Sequence, residues 1–267
     1  MTANNGSLSL LQISDLHILA QPGDKMIGVD TECYFEAVLQ HARHTRAHYD
    51  LVLVTGDLAQ DPCTTAYRRI QHHLQAFGID SICLPGNHDD YGMMQKILNS
   101  ENVSCNKQRL IGNWQILCLN SQIPGKAGGN LNCNELRRIE AALEEHWDLF
   151  TLIAVHHHCL PTQSAWMDTM MIKNSEEFLE IVSRYPQIKA VLCGHIHQEM
   201  DVQLSGLRVL GTPSTCFQFE PLCSNFTLSR QMPGYRILDL QADGSIDTRI
   251  YRLPGKFDEL DFTCAEY

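Results

Sequence analysis

Apolar runs and amphipathic stripes alternate along the chain up to about residue 200. The apolar runs are short and rich in β-branched residues, which predicts buried strands; they lie at 8–13, 51–55, 81–84, 114–119, 151–155 and 190–193. Between them, apolar residues recur at spacings of three and four, which predicts helices with one buried face; these stretches lie at 35–42, 67–77, 135–145 and 175–184. This alternation predicts an α/β fold.

The last quarter of the chain has a different pattern. It carries further apolar runs, which we predict to be antiparallel strands; they lie at 200–204, 208–211, 235–240 and 246–252. Asp243-Gly244 is a hairpin turn signal between the last two. Segments 124–132 and 212–233 are predicted to be irregular, mobile loops. We therefore expect a single domain over 1–267, with an α/β core at 7–200 and C-terminal strands and loops at 200–267 that complete it.

Composition narrows the class of protein. The chain has 267 residues, of which 44% are hydrophobic and 19% are charged, as is usual for a soluble protein with a full core. The formal net charge of −11 disfavours binding to a nucleic-acid polymer. A small anionic substrate stays possible, because bound metal ions dominate the local field.

The cysteine pattern and the first residues of the chain predict a cytoplasmic location. The 11 cysteines are irregularly spaced and form no C-x-x-C pair, so we expect reduced thiols in the cytoplasm. Residues 1–6 are polar and do not have the pattern of a signal peptide. No stretch approaches the roughly 18 apolar residues of a membrane span, so no membrane association is expected.

Polar residues of the metal-binding types follow five of the predicted strands where each strand ends. These residues are Asp15 and His17, then Asp57, then Asn87, His88 and Asp89, then His156, His157 and His158, and finally His195 and His197. Ligands of open α/β sheets bind outside the carboxyl ends of the strands, so these side chains are expected at one edge.

Imidazole and oxygen donors without thiolates suit Mn²⁺, Fe²⁺ or Zn²⁺. The set is too large for one tetrahedral ion but suits two ions that share a bridging carboxylate. Two such ions, about 3.5–4 Å apart, activate a bridging hydroxide and stabilise the attacking and leaving oxygens of a displacement. A lone histidine or a single D-x-H is common by chance and then purely structural. The ordered series D-x-H, G-D, G-N-H-D, H and G-H-x-H disfavours that alternative.

In this order the motifs resemble the calcineurin-like metallophosphoesterase family, and within it the bacterial 3′,5′-cyclic-AMP phosphodiesterases of class III. The similarity extends along nearly the whole chain, through QISDLH (12–17), TGDLAQD (55–61), LPGNHD (84–89), WQIL (114–117), HHH (156–158), LCGHIHQ (192–198), PSTC (213–216) and CSNFTL (223–228). The resemblance implies a two-sheet sandwich flanked by helices, with a strand-rich C-terminal part. It also implies hydrolysis of cyclic AMP to 5′-AMP, through a hydroxide that bridges the metals, and so a lower level of intracellular cyclic AMP.

The resemblance further implies two divalent metal ions per subunit, Fe²⁺ or Mn²⁺. One would be held by Asp15, His17 and His197, the other by Asn87, His156 and His195, with Asp57 as the bridge. His88 would bind no metal and would donate a proton to the leaving oxygen; as an alternative, it merely orients Asp89 or Asn87. The substrate phosphate would lie near His17, Asp57, Asn87, His88 and His197.

Further residues lie near these motifs in the sequence. His157 either faces the phosphate or supports a metal ligand, and His158 is not expected to bind metal. Cys159 stands where many relatives have proline and is expected to be inert. Trp166 either stacks on a base or packs over the metal site, and Asn225 either lines the substrate mouth or has a structural role.

Two other functions stay open. The substrate could be another small diester, such as a glycerophosphodiester or a 2′,3′-cyclic nucleotide, because the group attached to the leaving oxygen lies outside the metal site. A non-catalytic scaffold is disfavoured because such proteins lose ligands, and every ligand is present here. The chain could form an oligomer.

Overall fold

Two six-stranded sheets pack face to face in the computed structural model, which describes residues 6–204 and 206–264. The strands are β1 Leu8–Ile13, β2 Leu51–Thr55, β3 Ser81–Leu84, β4 Val103–Ser104, β5 Gln108–Ile111, β6 Trp114–Cys118, β7 Phe150–Val155, β8 Ile188–Cys193, β9 Met200–Leu204, β10 Leu207–Gly211, β11 Gln218–Phe219, β12 Leu228–Ser229, β13 Gly234–Leu240 and β14 Ile246–Arg252. The first sheet has the order β14-β13-β1-β2-β3-β4 and the second β5-β6-β7-β8-β10-β9. Strands β11 and β12 form a small separate ribbon.

Each sheet has a parallel centre. In the first sheet β1 to β4 run parallel, and β13 and β14 are added antiparallel at one side. In the second sheet β6, β7, β8 and β10 run parallel, and β5 and β9 are the antiparallel edges. The C-terminal part therefore contributes two strands to each sheet, and parallel strands of both sheets end at the same side of the molecule.

Helices cover the outer faces of the sandwich. They are α1 Thr31–Thr45, α2 Thr64–Phe77, α3 Tyr91–Ile97, α4 Cys133–Glu145, α5 Ala165–Asp168 and α6 Ser175–Ser183. Helices α1 and α2 pack on the first sheet, and α4 and α6 pack on the second. Side-chain caps begin several of them, for example Asp30, whose carboxylate accepts from the Cys33 N–H at the start of α1.

Alternation along the strands separates three apolar layers. In β1, Leu11 and Ile13 face α1 and α2, whereas Leu10 faces the second sheet. Gln12 also lies on the inner side, where its Nε2 donates to Thr55 Oγ1 and to the Cys193 carbonyl at 3.2 Å each. This buried amide links the ends of β1, β2 and β8, the strands that carry most of the candidate site residues.

The predicted α/β sandwich is confirmed, and each predicted strand and helix is present with bounds shifted by a few residues. The hairpin at Asp243-Gly244 is also confirmed, with Leu240 opposite Ile246. The antiparallel assignment of β10 is wrong for one of its two neighbours. Strand β10 is antiparallel to β9, with which it forms a hairpin, but it pairs with β8 in parallel on its other side. The pattern did not predict α3, α5, β4, β5, β11 and β12, which are short.

The structure also describes the cysteines and the length and apolar character of the helices. All eleven cysteines are free thiols. Among the described residues, no helix has the length and apolar character needed to cross a bilayer. The prediction for residues 1–6 falls almost entirely outside the described part of the chain, as do positions 205 and 265–267 of the predicted C-terminal segment.

Candidate metal centre

The loops that follow five parallel strands meet at one edge of the sandwich. Asp15 and His17 follow β1, and Asp57 follows β2. The remaining candidate ligands come after β3, β7 and β8: Asn87, His156, His195 and His197. All are buried except Asn87, which is partly exposed. The structure thus brings together all seven candidate ligands across both sheets.

Three of these side chains form a first cluster. His17 Nε2 lies 3.3 Å from His197 Nε2, and His197 Nε2 lies 3.5 Å from Asp15 Oδ1. The Asp15 carboxylate is held from the other sheet, because it accepts the His195 backbone N–H at 3.0 Å and 3.1 Å. Donor atoms of Asp15, His17 and His197 all lie within 4.8 Å of one another, a spacing that fits one metal ion.

A second cluster lies beside the first. His156 Nε2 is 3.1 Å from Asn87 Oδ1, and the rings of His156 and His195 are 5.0 Å apart. The buried Nε2 of His195 has no hydrogen-bond partner within the described part of the chain. This nitrogen is therefore a polar atom that protein contacts leave unsatisfied.

Asp57 lies between the two clusters. Its Oδ2 is 3.8 Å from His17 Nε2 and 3.2 Å from His156 Nε2. Its Oδ1 accepts the backbone N–H of His88 at 2.9 Å. A Cβ at position 86 would lie 2.1 Å from this oxygen, so Gly86 is required for the approach. The carboxylate therefore faces one imidazole of each cluster.

Hydrogen bonds fix the orientation of three imidazoles in the same way. Nδ1–H donates to Gln60 Oε1 in His17, to the Thr55 carbonyl in His156 and to the Phe217 carbonyl in His197, each at 2.8 Å. A ring that donates through Nδ1 presents the lone pair of Nε2, and these Nε2 atoms face the centre. The donor set of imidazoles, carboxylates and one amide fits divalent transition-metal ions.

His157 has the opposite arrangement. Its Nε2 donates to the Ala127 carbonyl at 3.1 Å, and its Nδ1 lies 2.7 Å from the Ser121 hydroxyl. Although His156, His157 and His195 also have donors within 4.8 Å of one another, both ring nitrogens of His157 have protein partners. We therefore assign to His157 a supporting position, in which it anchors the glycine-rich loop 124–132 beside the cluster.

Five of the candidate ligands adopt left-handed backbone conformations that non-glycine residues rarely occupy. The φ angles are 56° for Asp15, 46° for His17, 50° for Asp57, 65° for His195 and 47° for His197. Such a conformation costs on the order of 1 kcal/mol and persists only where the surroundings enforce it. The concentration of such conformations where the strands end, at one edge of the sandwich, is typical of a functional site.

Burial and mutual charge determine the protonation of the cluster. Burial lowers the pKa of His17 to about 3 and that of His195 well below its usual range, so both imidazoles are neutral. Burial also opposes protonation of His156, but the facing Asp57 carboxylate raises its pKa to about 9. Burial opposes ionisation of Asp57, yet His156 holds its pKa well below the usual range. A cation bound between these two side chains therefore competes with one proton.

The role of Asp89 was not predicted from the sequence. The Asp89 carboxylate accepts hydrogen bonds from the backbone of Leu58, Ala59 and Gly86 at 2.9–3.2 Å and from the Tyr67 hydroxyl at 3.0 Å. It thereby ties the loop after β2, which carries Asp57, to the loop after β3. Its place at the end of G-N-H-D signalled a role, but the pattern did not reveal its partners.

We expect Asp89→Ala to lower the free energy of unfolding by about 3 kcal/mol, because several buried N–H groups lose their acceptor. Tyr67→Phe removes one of these bonds and also the acceptor of the Asp90 backbone N–H, so it should lower the free energy of unfolding by about 2 kcal/mol. Urea unfolding of the metal-free proteins at pH 7, followed by circular dichroism, measures both. A loss in Asp89→Ala no larger than that in Tyr67→Phe would contradict the anchoring role.

The remaining predicted residues lie around the cluster. Trp166 lines a cavity next to Asn87, His88 and His195. Asn225 is exposed, and its neighbour Phe226 lines that cavity instead. His158 is buried, with Nε2 3.6 Å from Asp168 Oδ1. Burial raises the pKa of Cys159 to about 12, so it stays a thiol, in agreement with the expectation that it is inert.

Comparisons with known proteins agree with this geometry. The family model described as calcineurin-like phosphoesterase matches residues 8–199. A 3′,5′-cyclic adenosine monophosphate phosphodiesterase of Escherichia coli K12 is 40% identical over 94% of this chain and 92% of its own. A 3′,5′-cyclic-nucleotide phosphodiesterase of Nostoc is 40% identical over 92% and 93%. The crystal structure of a dimetal phosphatase from Danio rerio covers 92% of this chain and 98% of its own with a TM-score of 0.60 at 14% identity, which supports the fold.

Proposed function

The chain belongs to the calcineurin-like phosphoesterase family, and on that premise we propose that it hydrolyses 3′,5′-cyclic AMP to 5′-AMP with two divalent metal ions. The observation that carries the proposal is the position of Asp57 between two clusters of imidazole and oxygen donors. This arrangement fits the two-metal hydrolysis of phosphate esters. By consuming cyclic AMP, the enzyme would lower its intracellular level.

The relatives support the choice of substrate. Those in E. coli and Nostoc are named for 3′,5′-cyclic AMP and 3′,5′-cyclic nucleotides, and each matches over nearly its full length. The cluster alone supports only the coarser statement that the substrate is a phosphate ester, because the remainder of a substrate lies outside it.

We assign the metal ligands as the geometry groups them. Asp15, His17 and His197 would hold one ion, and Asn87, His156 and His195 the other, with Asp57 shared. When bound, such ions supply an activated water and neutralise charge on the phosphate. Fe²⁺ or Mn²⁺ fits the mixture of imidazole and oxygen donors. Hydrogen bonds to Gln60, Thr55 and Phe217 keep three of these imidazoles oriented.

His88 would act on the leaving group. Its Nδ1–H donates to the Gln60 carbonyl at 3.0 Å, so proton exchange with a substrate would use Nε2. Its backbone N–H binds Asp57, and its side chain lines the cavity next to Asn87 and His195. We therefore propose that His88 donates a proton to the 3′ oxygen. The substrate phosphate would lie among His17, Asp57, Asn87, His88 and His197.

Domain organisation, partners and cellular location are also part of the proposal. We propose that residues 1–267 act as one domain, because each sheet contains strands from both 7–200 and 200–267. The net charge of −11 argues against a nucleic-acid partner, and the cysteine pattern argues for the cytoplasm. A non-catalytic scaffold is disfavoured, because the donor atoms form compact clusters of buried groups.

A substrate panel tests the proposed function. With Mn²⁺ or Fe²⁺ supplied, we expect kcat/KM for 3′,5′-cyclic AMP to exceed that for 2′,3′-cyclic AMP and for glycerophosphodiesters by about tenfold or more, equivalent to about 1.4 kcal/mol. Cyclic GMP is included to measure discrimination between bases. Product analysis should show 5′-AMP, since the 3′ oxygen leaves. Turnover of the other diesters without turnover of cyclic AMP would refute the proposed substrate.

A further inference from the structure

A cavity of about 330 Å³ opens directly on the candidate metal centre. Asn87, His88 and His195 form one part of its lining. A second part, the aromatic wall, is contributed by two segments distant in sequence: Trp166 and Met170 in and after α5, and Phe219 and Phe226 in the β11–β12 hairpin. Its volume lies in the usual range for small-molecule sites.

The three aromatic rings of this wall pack against one another. Trp166 is 5.0 Å from Phe219 and 5.3 Å from Phe226, and the two phenylalanines are 5.4 Å apart, with interplanar angles of 66° to 82°. Rings in mutual edge-to-face contact leave no space between them for a cationic group, as an aromatic cage for a quaternary ammonium would require. The three rings form one packed apolar cluster, in which Trp166 and Phe226 are partly exposed and Phe219 is buried.

Trp166, which lines this cavity, also carries an unsatisfied polar atom. Trp166 Nε1 is buried and has no hydrogen-bond partner among the described residues. A buried indole N–H normally finds an acceptor, because leaving it unpaired is costly. The backbone around it is fixed: Thr169 Oγ1 donates to the Trp166 carbonyl at 2.6 Å, and the Asp168 carboxylate accepts from the backbone and the hydroxyl of Thr162 at 2.7 Å.

We infer that this wall is the base subsite, where a purine lies against the aromatic surface and the Trp166 indole N–H donates to a ring nitrogen of the base. The inference rests on the proposed function, since the phosphate must lie at the metal centre for the base to reach this wall. A purine provides a flat face and unprotonated ring nitrogens as acceptors. A glycerol or ethanolamine group would instead place polar atoms against Met170, Phe219 and Phe226 without partners.

Two substitutions of Trp166 separate stacking from hydrogen bonding. Loss of base stacking is worth about 1–3 kcal/mol, so Trp166→Ala should raise KM for cyclic AMP about 5- to 150-fold with a smaller change in kcat. The 3′,5′-cyclic phosphate of ribose without a base should show no such change. Trp166→Phe keeps a ring and loses the N–H, so it should lose about fivefold in kcat/KM. The matched control is Trp147→Ala, whose indole is 75% exposed.

Deaza analogues identify the hydrogen bond itself. In the wild type, one of the 1-deaza, 3-deaza and 7-deaza cyclic AMP analogues should lose about as much kcat/KM as Trp166→Phe does, and it should lose nothing more in that variant. Metal content and melting temperature are measured for each variant, so that misfolding is recognised. If the analogues show no coupling to Trp166→Phe, the indole hydrogen bond is wrong.

These experiments separate failure of the base subsite from failure of the proposed function. If wild-type kcat/KM is the same for cyclic AMP and the base-free cyclic phosphate, the subsite is refuted while the proposed function stands. If cyclic AMP is not hydrolysed, the proposed function fails. Adenosine binding then decides the subsite: quenching of tryptophan fluorescence that is lost in Trp166→Phe supports it, and its absence in the wild type refutes it.

Discussion

Asp57→Ala is expected to remove most of the bound metal and to lower kcat for every phosphodiester by about a thousandfold or more. The physical reason is the position of the carboxylate, which faces His17 at 3.8 Å and His156 at 3.2 Å and thus serves both clusters. Without it, the two ions would lose their shared ligand and the charge that balances their repulsion. Elemental analysis of the purified protein and steady-state kinetics measure the two effects.

Two comparisons sharpen that test. Asp57→Asn keeps an oxygen that can accept the His88 N–H but removes the negative charge, so it should also lose metal. Asp61→Ala, four residues further on and exposed, should leave metal content and kcat unchanged. Two ions per subunit and wild-type kcat in Asp57→Ala would show that this carboxylate does not bridge them.

His88→Ala is expected to keep both metal ions and to lower kcat for cyclic AMP by about 10²- to 10⁴-fold, the usual contribution of a general acid. The side chain lines the cavity beside Asn87 and His195 and is oriented by the Gln60 carbonyl. An acid matters most when the leaving oxygen is a poor leaving group. The loss should therefore be large for the ribose alkoxide and within about tenfold for a p-nitrophenyl phosphodiester.

The dependence on the leaving group distinguishes acid catalysis from a structural role. A variant that merely misplaces Asp57 or Asn87 would lose activity equally toward both substrates and would also lose metal. His72→Ala, on the exposed side of α2, is the matched histidine control and should resemble the wild type. Equal losses toward both substrates would show that His88 positions other groups and donates no proton to the leaving oxygen.

Long elements and strand ends were predictable from the sequence, because buried strands and amphipathic helices leave periodic patterns. Strand β1 and the residues after it illustrate this: the apolar run predicts the strand, and Asp15 follows its carboxyl end. Short elements such as α3 and α5 contain too few residues for a period to appear. Strand β10 shows another limit, since its partners depend on which sheet edge is available and not on its own composition.

The site was predictable where chemistry is local and unpredictable where it depends on contacts. The seven candidate ligands occur in short motifs, and the structure brings their side chains together. The resemblance implied His156 as the ligand among three adjacent histidines. The contacts that orient His156 and His157, the Thr55 carbonyl and the Ser121 hydroxyl, are distant in sequence and appear in no local motif. The aromatic wall combines Trp166 with Phe219 and Phe226, and no spacing along the chain relates them.

Activity and folding stability place opposite demands on five residues with left-handed backbone conformations: Asp15, His17, Asp57, His195 and His197. Glycine adopts such conformations without strain. Replacing any of these residues with glycine would therefore relieve strain in the folded state, but glycine has no side chain to bind a metal. At about 1 kcal/mol for each residue, the summed strain of the five residues is comparable to the lower end of the free energy of unfolding of a typical domain. Screening for thermostable variants without selecting for turnover would therefore favour the loss of catalysis at this edge first.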